Sequence, residues 1–299
     1  MATRGITDAH ERLHPVADPS PHWSDSLYFN AWDPGTDTFV MTRMAVVPNV
    51  GRVTGGVLAW IDGQVTYGFG RELDEVPQSD WDVMTTDGLT YRMLEAGQRW
   101  AMQLTDGEDK AHLEWTGRSP ATLYDDHPAG PLPRSVAWGH YEQTCDVRGD
   151  LVVAGRRIAF DGVGQRDHSW GFRHWAGLRE WHWVTGFLVD GRAFNLFEVH
   201  QHDGTTTLNG YLHGSDGDRY VTSADRTLEP AGDGAAARFT VDLLAEEHRL
   251  RVSGTAGGFS VPVRPAGDQP VVVHETPVRL IADGVPGYGV YEHLITGEG

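Results

Sequence analysis

Two arginines, an aspartate, two histidines and two tryptophans crowd residues 164–175, GQRDHSWGFRHW. Such side chains are costly to bury without partners, so their density implies a reaction site or an internal polar clamp. An Arg166–Asp167–His168 run can hold one titratable group in a chosen protonation state, as acid-base chemistry requires. Trp170, Trp175, Trp181 and Trp183 would add π-faces suited to an apolar ligand or a developing cation. In the clamp alternative, Arg166 pairs with Asp167 while Trp170 plugs a barrel end. Neighbours on a regular strand point to opposite faces, so Asp167 and His168 can meet one ligand only through a bulge. Gly162, Gly164 and Gly171 would permit one.

Further carboxylates stand beside aromatics. WGHYEQT at 138–144 resembles YGVYEHL at 288–294, which makes Tyr141–Glu142 and Tyr291–Glu292 equivalent repeat positions. Each glutamate either answers an arginine inside a barrel mouth or is a buried acid able to deliver a proton. Glu198 ends an apolar stripe with Phe194 and Leu196 and has the same two readings. HERLH at 10–14 matches the zinc-protease motif H-E-x-x-H, but Pro15 follows at once and no apolar face supports a helix. It reads as a chance match in an N-terminal arm. His200 with His202, and His168 with His174, lack a tight three-ligand spacing, so no metal and no cofactor are expected. Phosphate-loop, dinucleotide and G-x-S-x-G signatures are absent, and Cys145 reads as a small core residue.

These groups must be positioned by strands. Asp-Gly pairs recur at 62–63, 87–88, 106–107, 161–162, 190–191, 203–204, 216–217, 233–234 and 283–284. Between alternating apolar runs, Asp-Gly is a hairpin signal because both residues tolerate positive φ. RVTGGVLAWIDGQVTYGFG and EWHWVTGFLVDGRAFNLFEVH both read as strand, turn, strand, with Trp181 and Trp183 on one face and His182 on the other. The pattern predicts an all-β chain of antiparallel hairpins, with short helical turns at most over 73–84 and 92–98. The repeat predicts two halves, 1–148 and 149–299, parted at a Gly149–Asp150 turn. The Pro/Gly-rich segment 117–135 reads as loop.

A length of 299 residues suits two domains, and a net charge of −18 argues against nucleic acid and anionic membranes. No apolar run could span a membrane, and MATRGITDAHERLH lacks a signal peptide's apolar stretch. With one cysteine there is no internal disulfide, and a cytoplasmic protein is expected. A homodimer stays open.

The run GVGQRDHSWG resembles the G-x-G-x-x-D-H-x-W-G of the hydroxyneurosporene synthase (carotenoid hydratase) superfamily. PHWSDSLYFN and GYGVYEHL are similar to segments of a bacterial branch of that superfamily with no assigned function. The resemblance implies two lipocalin-like antiparallel β-barrel halves, and carries over Asp167, His168 and Trp170. It also implies hydratases that add water across isoprenoid or prenyl double bonds, and cyclases that fold polyene chains. The expected function is a cofactor-independent lyase of hydratase or dehydratase type acting on a hydrophobic unsaturated small molecule. Asp167, His168 and Glu142 would be catalytic; Arg166, Trp170, Trp175, Trp181, Trp183, Glu198, Tyr141 and Tyr291 would bind substrate. A pericyclic or cationic cyclase and a non-catalytic lipocalin-like carrier are the alternatives.

Overall fold

The computed structural model describes residues 5–74, 81–257, 261–263 and 271–296. The expected all-β architecture is present, as two antiparallel sheets that curl into nearly closed barrels. The described helical turns are single 3₁₀ turns, at Asp8–Glu11, Pro48–Val50, Tyr124–Asp126 and Trp175–Gly177.

The first sheet contains β1 (Trp23–Asp33), β2 (Thr38–Val47), β3 (Arg52–Ile61), β4 (Gln64–Leu73), β5 (Val83–Thr86) and β6 (Leu89–Glu95). It continues with β7 (Arg99–Asp106), β8 (Asp109–Gly117), β9 (Thr122–Leu123), β10 (Gly139–Val153) and β11 (Arg156–Phe172). Its strand order is β4-β3-β2-β1-β11-β10-β8-β7-β6-β5, with β9 on β10. The second sheet contains β12 (Leu178–Leu188), β13 (Ala193–Gln201), β14 (Thr206–Gly214), β15 (Gly217–Tyr220) and β16 (Ser223–Pro230). It continues with β17 (Ala236–Ala245), β18 (His248–Ala256), β19 (Val261–Val263), β20 (Val271–Ala282) and β21 (Val285–Thr296). Here the order is β15-β14-β13-β12-β21-β20-β18-β17-β16, with β19 on β20.

Eight of the nine Asp-Gly pairs fall at turns between paired strands, and at Asp62–Gly63 (53° and 76°) and Asp283–Gly284 (51° and 80°) both residues take positive φ. Asp161–Gly162 instead lies within β11, and the β10–β11 hairpin turns at Ala154–Gly155. Gly149 is no turn either. It sits mid-strand in β10, opposite Phe160 on one side and Leu113 on the other. A Cβ there would lie 1.9 Å from the His112 carbonyl oxygen, so glycine lets the two backbones approach. Of the helical turns expected, 92–95 are strand, while residues 75–80 lie outside the described residues.

The chain divides into two compact units, but not at 148/149. One comprises Arg4–Leu123 and Ala137–Arg173, and is called the first barrel; the other comprises Tyr124–Val136 and His174–Gly299, the second barrel. The segment read as loop thus contributes to the second barrel. There Tyr124 donates a hydrogen bond to Asn195 Oδ1, and Asn209 Nδ2 donates to the Gly130 carbonyl at 2.9 Å.

The internal repeat also needs correction. The order β2-β1-β11-β10-β8 is matched by β13-β12-β21-β20-β18, so β10 corresponds to β20 and β11 to β21. Tyr141 and Glu142 lie on β10 whereas Tyr291 and Glu292 lie on β21, so the short sequence match joins strands that hold different places.

Strand alternation fills each interior. Leu27, Phe29, Cys145, Val147, Ile158 and Phe160 join the core of the first barrel, with Trp100 and Trp115. Val184, Phe194, Leu196 and Tyr291 join that of the second. Among the described residues no helix is long and apolar enough to cross a membrane.

Candidate functional site

The period of two that sends Ile158 and Phe160 inward also sends Arg166, His168 and Trp170 into the first barrel, and Asp167 to the opposite face. The neighbouring strands present Tyr141 and Gln143 from β10, and Asp25, Leu27 and Phe29 from β1, to the same interior. No bulge in the β1–β11 or β10–β11 register re-aims Asp167.

Arg166 is fully buried and makes four hydrogen bonds. Its Nη2 meets Glu11 Oε1 at 2.8 Å and its Nη1 meets Glu11 Oε2 at 3.2 Å and Tyr141 Oη at 2.8 Å. Nε donates to Gln143 Oε1 at 2.6 Å. The carboxylate is equally engaged, accepting from Gly97 N at 2.6 Å, Trp100 Nε1 at 3.1 Å and Tyr141 Oη at 2.7 Å. Burial alone would raise the Glu11 carboxyl, but the Arg166 guanidinium and the tyrosine hold it at about 2. The clamp expected here therefore exists, with Glu11 rather than Asp167 as its anion. These hydrogen bonds hold the guanidinium of Arg166 and the hydroxyl of Tyr141 within the clamp.

One step along β11, the chemistry changes. His168 Nε2 is hydrogen-bonded to Asp25 Oδ1, and Asp25 Oδ2 accepts from His14 N at 2.8 Å and lies 3.1 Å from His14 Nδ1. Burial would raise the Asp25 carboxyl, but the His168 and His14 imidazoles hold it below its ordinary value, so it stays an anion. Desolvation in turn lowers His14. The other ring nitrogen of His168, Nδ1, is buried and makes no hydrogen bond. Around the ring stand Trp81, stacked at 5.3 Å between centroids, and Tyr141 and Trp170, edge-on at 5.6 and 5.2 Å. His14 stacks on Trp170 at 3.8 Å and is the part-exposed end of the cluster, at 16%. Gly139 makes room for that indole, since a Cβ there would fall 2.1 Å from Trp170 Cζ2.

On the opposite face of β10 and β11, His140 Nε2 meets Glu142 Oε1 at 2.9 Å and His140 Nδ1 meets Ser169 Oγ at 2.7 Å. Gln165 Nε2 donates to Glu142 Oε2. Asp167 lies across from Glu142 in the register. Two of the three residues expected to be catalytic, Asp167 and Glu142, thus share a face that His168 does not.

The remaining expected residues belong to the second barrel. Trp175 packs edge-on against Trp181 at 4.8 Å, and Trp181 Nε1 donates to Glu292 Oε1 at 2.6 Å. Trp181 and Trp183 lie on the face of β12 opposite the inward row of His182 and Val184. Glu198 faces inward and answers Arg226 at 2.9 Å and His200 at 2.8 Å, its carboxyl held at about 2 by those partners against burial. Tyr291 Oη is 2.9 Å from His182 Nδ1.

Of the histidine pairs weighed from the sequence, His202 is exposed and His200 is committed to Glu198 and Thr206. Two other groups assemble: His14, Asp25 and His168 in the first barrel, and Glu180, His182 and His293 in the second. In the first, direct hydrogen bonds close the gaps an ion would need.

Sequence reasoning missed Glu11, His14, Asp25 and Trp81. The signal for Asp25 was present, because WSDSLYF places it two residues before Leu27 and four before Phe29 on one apolar face. Glu11 and His14 are both in HERLH, which forms a single 3₁₀ turn followed by extended chain rather than a zinc helix.

A sequence family described as a domain of unknown function, DUF7064, matches residues 7–296. No curated protein matches the sequence. Among solved structures, a candidate AttH from Nitrosomonas europaea is similar at 16% identity, TM-score 0.70, covering 94% of this chain and 98% of that one. Kievitone hydratase from Nectria haematococca is similar at 11% identity, TM-score 0.67, covering 98% and 95%. CghA with Sch210972 is similar at 12% identity, TM-score 0.66, covering 94% and 90%. At these identities the likeness is one of fold.

Proposed function

This chain belongs to the DUF7064 family, and from that premise and the site geometry we propose a lyase of hydratase or dehydratase type. Its substrate would be a hydrophobic, unsaturated small molecule, and the Asp25–His168 pair would handle the proton. One observation carries the reading: the buried, unpartnered Nδ1 of His168 inside an aromatic surround, with Nε2 anchored on a carboxylate. A fold shared with kievitone hydratase supports it by analogy.

The ionised Asp25 accepts the Nε2–H of His168, which fixes the ring and leaves Nδ1 as the working atom. Neutral, Nδ1 is a base; protonated, it is an acid whose charge Asp25 offsets. In the hydration direction, Nδ1–H passes its proton to one alkene carbon and the π pair forms that C–H bond. Positive charge develops on the other carbon, where Trp81 and Trp170 offer π-faces. Water adds there and its surplus proton returns to Nδ1, so the enzyme is unchanged. Dehydration is the reverse. The aromatic wall limits other water, which keeps the electrostatic stabilisation strong.

The test is native mass spectrometry of protein purified from its host, extraction of any bound molecule, and incubation of that molecule with fresh protein in oxygen-18 water. Label appearing in the ligand with wild type, and absent with His168→Gln, is the expected result. Return of a chemically unchanged, unlabelled molecule from wild type identifies a carrier and overturns the reading.

A further inference from the structure

The second barrel repeats part of this design. β12 pairs with β21 as β1 pairs with β11, and Glu180 stands opposite Ile295 as Asp25 stands opposite Trp170. His293 and His168 each lie two residues earlier on the partner strand, so both barrels set a carboxylate against a histidine in one register. The second barrel then departs, because β12 adds His182 directly opposite His293.

We propose that Glu180, His182 and His293 form a binding site for one divalent transition-metal ion of the zinc class, with a fourth position left to water or a ligand. The ligand types are right, since two imidazoles and a carboxylate are a known zinc set. The spacing is right as well. His182 Nε2 and His293 Nε2 are each 3.6 Å from the same Glu180 oxygen, beyond hydrogen-bond length. Ligand bonds of about 2.0–2.2 Å at tetrahedral angles put donor atoms roughly 3.3–3.5 Å apart. The first barrel's cluster is closed by hydrogen bonds; this one is open by about the width an ion requires.

The outer contacts point the same way. His293 Nδ1 lies 2.8 Å from the Gly234 carbonyl, to which it can only donate. That fixes the tautomer with a lone pair on Nε2, which is buried and makes no hydrogen bond. Tyr291 Oη sits 2.9 Å from His182 Nδ1 and orients that ring in turn. Metal-bound histidines are regularly held in this way through their second nitrogen. The two rings lie nearly parallel, 4.4 Å apart, so their edges face the carboxylate together. A register shift between Leu178 and Glu180 aims the glutamate, and its 32% exposure gives an ion a way in. Of the nearby cations, Arg226 is already neutralised by Glu198, and Arg179 donates to Glu180 Oε1 at 3.1 Å, which leaves Oε2 to face the two imidazoles.

The site is independent of the proton chemistry proposed for His168. Its test is metal content and zinc titration by calorimetry on full-length protein first stripped with a chelator. Cobalt(II) is the spectroscopic probe, since a tetrahedral N/O site gives strong visible absorption. One equivalent per chain is expected, with affinity falling at least ~10²-fold in His293→Ala and in Glu180→Gln. Zinc should raise the melting temperature of wild type and not that of His293→Ala, a comparison valid only if circular dichroism shows both folded. His14→Ala should bind as wild type does. Absence of binding by folded wild type overturns the proposal. So does stoichiometry unchanged in folded His293→Ala, or binding lost in His14→Ala instead.

Discussion

His168 and Asp25 meet across paired strands β11 and β1, with one ring nitrogen on the carboxylate and the other buried without a partner. The pairing ties a titratable group to a fixed orientation and leaves one functional atom. If Nδ1 is the proton carrier, His168→Gln should lower turnover at least ~10²-fold, and Asp25→Asn by a comparable factor. The measurement is turnover of the extracted ligand by wild type and by each variant under the same conditions. Loss of activity in Asp167→Asn with His168→Gln unaffected would move the reaction to the opposite face of β11.

The Glu11–Arg166 pair should contribute to acid stability. Glu11 titrates near 2 when folded and near 4.5 when unfolded. Its contribution is therefore complete above about pH 4.5 and is lost as pH falls toward 2, amounting to about 3 kcal/mol at neutrality. Glu11→Gln should be destabilised by about 3–5 kcal/mol at pH 7, since it strands a buried guanidinium. Urea unfolding at a series of pH values should show the gap to wild type closing below pH 4.5. A constant gap across that range would refute the assignment.

Gly139→Ala should displace Trp170, because its Cβ would lie 2.1 Å from the indole. We expect a loss of about 1–3 kcal/mol in unfolding free energy. Tryptophan fluorescence should also shift as the indole leaves its stack on His14. Native-like emission with full stability would show that the wall has slack.

Cys145 should be inert in the folded protein. It is fully buried, and burial pushes its thiol up to about 12, so roughly 10⁻⁴ of it is thiolate at pH 8. Ellman titration should find no accessible thiol natively and one in denaturant.

Local periodicity made much of this legible. Alternation predicts the strands, Asp-Gly predicts hairpins at 62–63 and 283–284, and the same period warns that Asp167 and His168 diverge. What escaped depends on which strand lies beside which. Arg166 meets Glu11 from 155 residues away and His168 meets Asp25 from 143, and no local pattern reports such pairings. The boundary was misplaced because Gly149 serves close backbone approach rather than a turn, and glycine alone does not say which. HERLH was set aside for the right reason, its lack of a helix, yet two of its side chains enter the barrel.

The 155-residue reach from Glu11 to Arg166 also matters during synthesis. At about 5–20 residues per second, a ribosome needs roughly 8–31 s to make the arginine after the glutamate. Until then Glu11 has no guanidinium, and His14 must wait almost as long for the strand that brings His168. The segment carrying both is thus made well before β11 and seated only once that strand is in place.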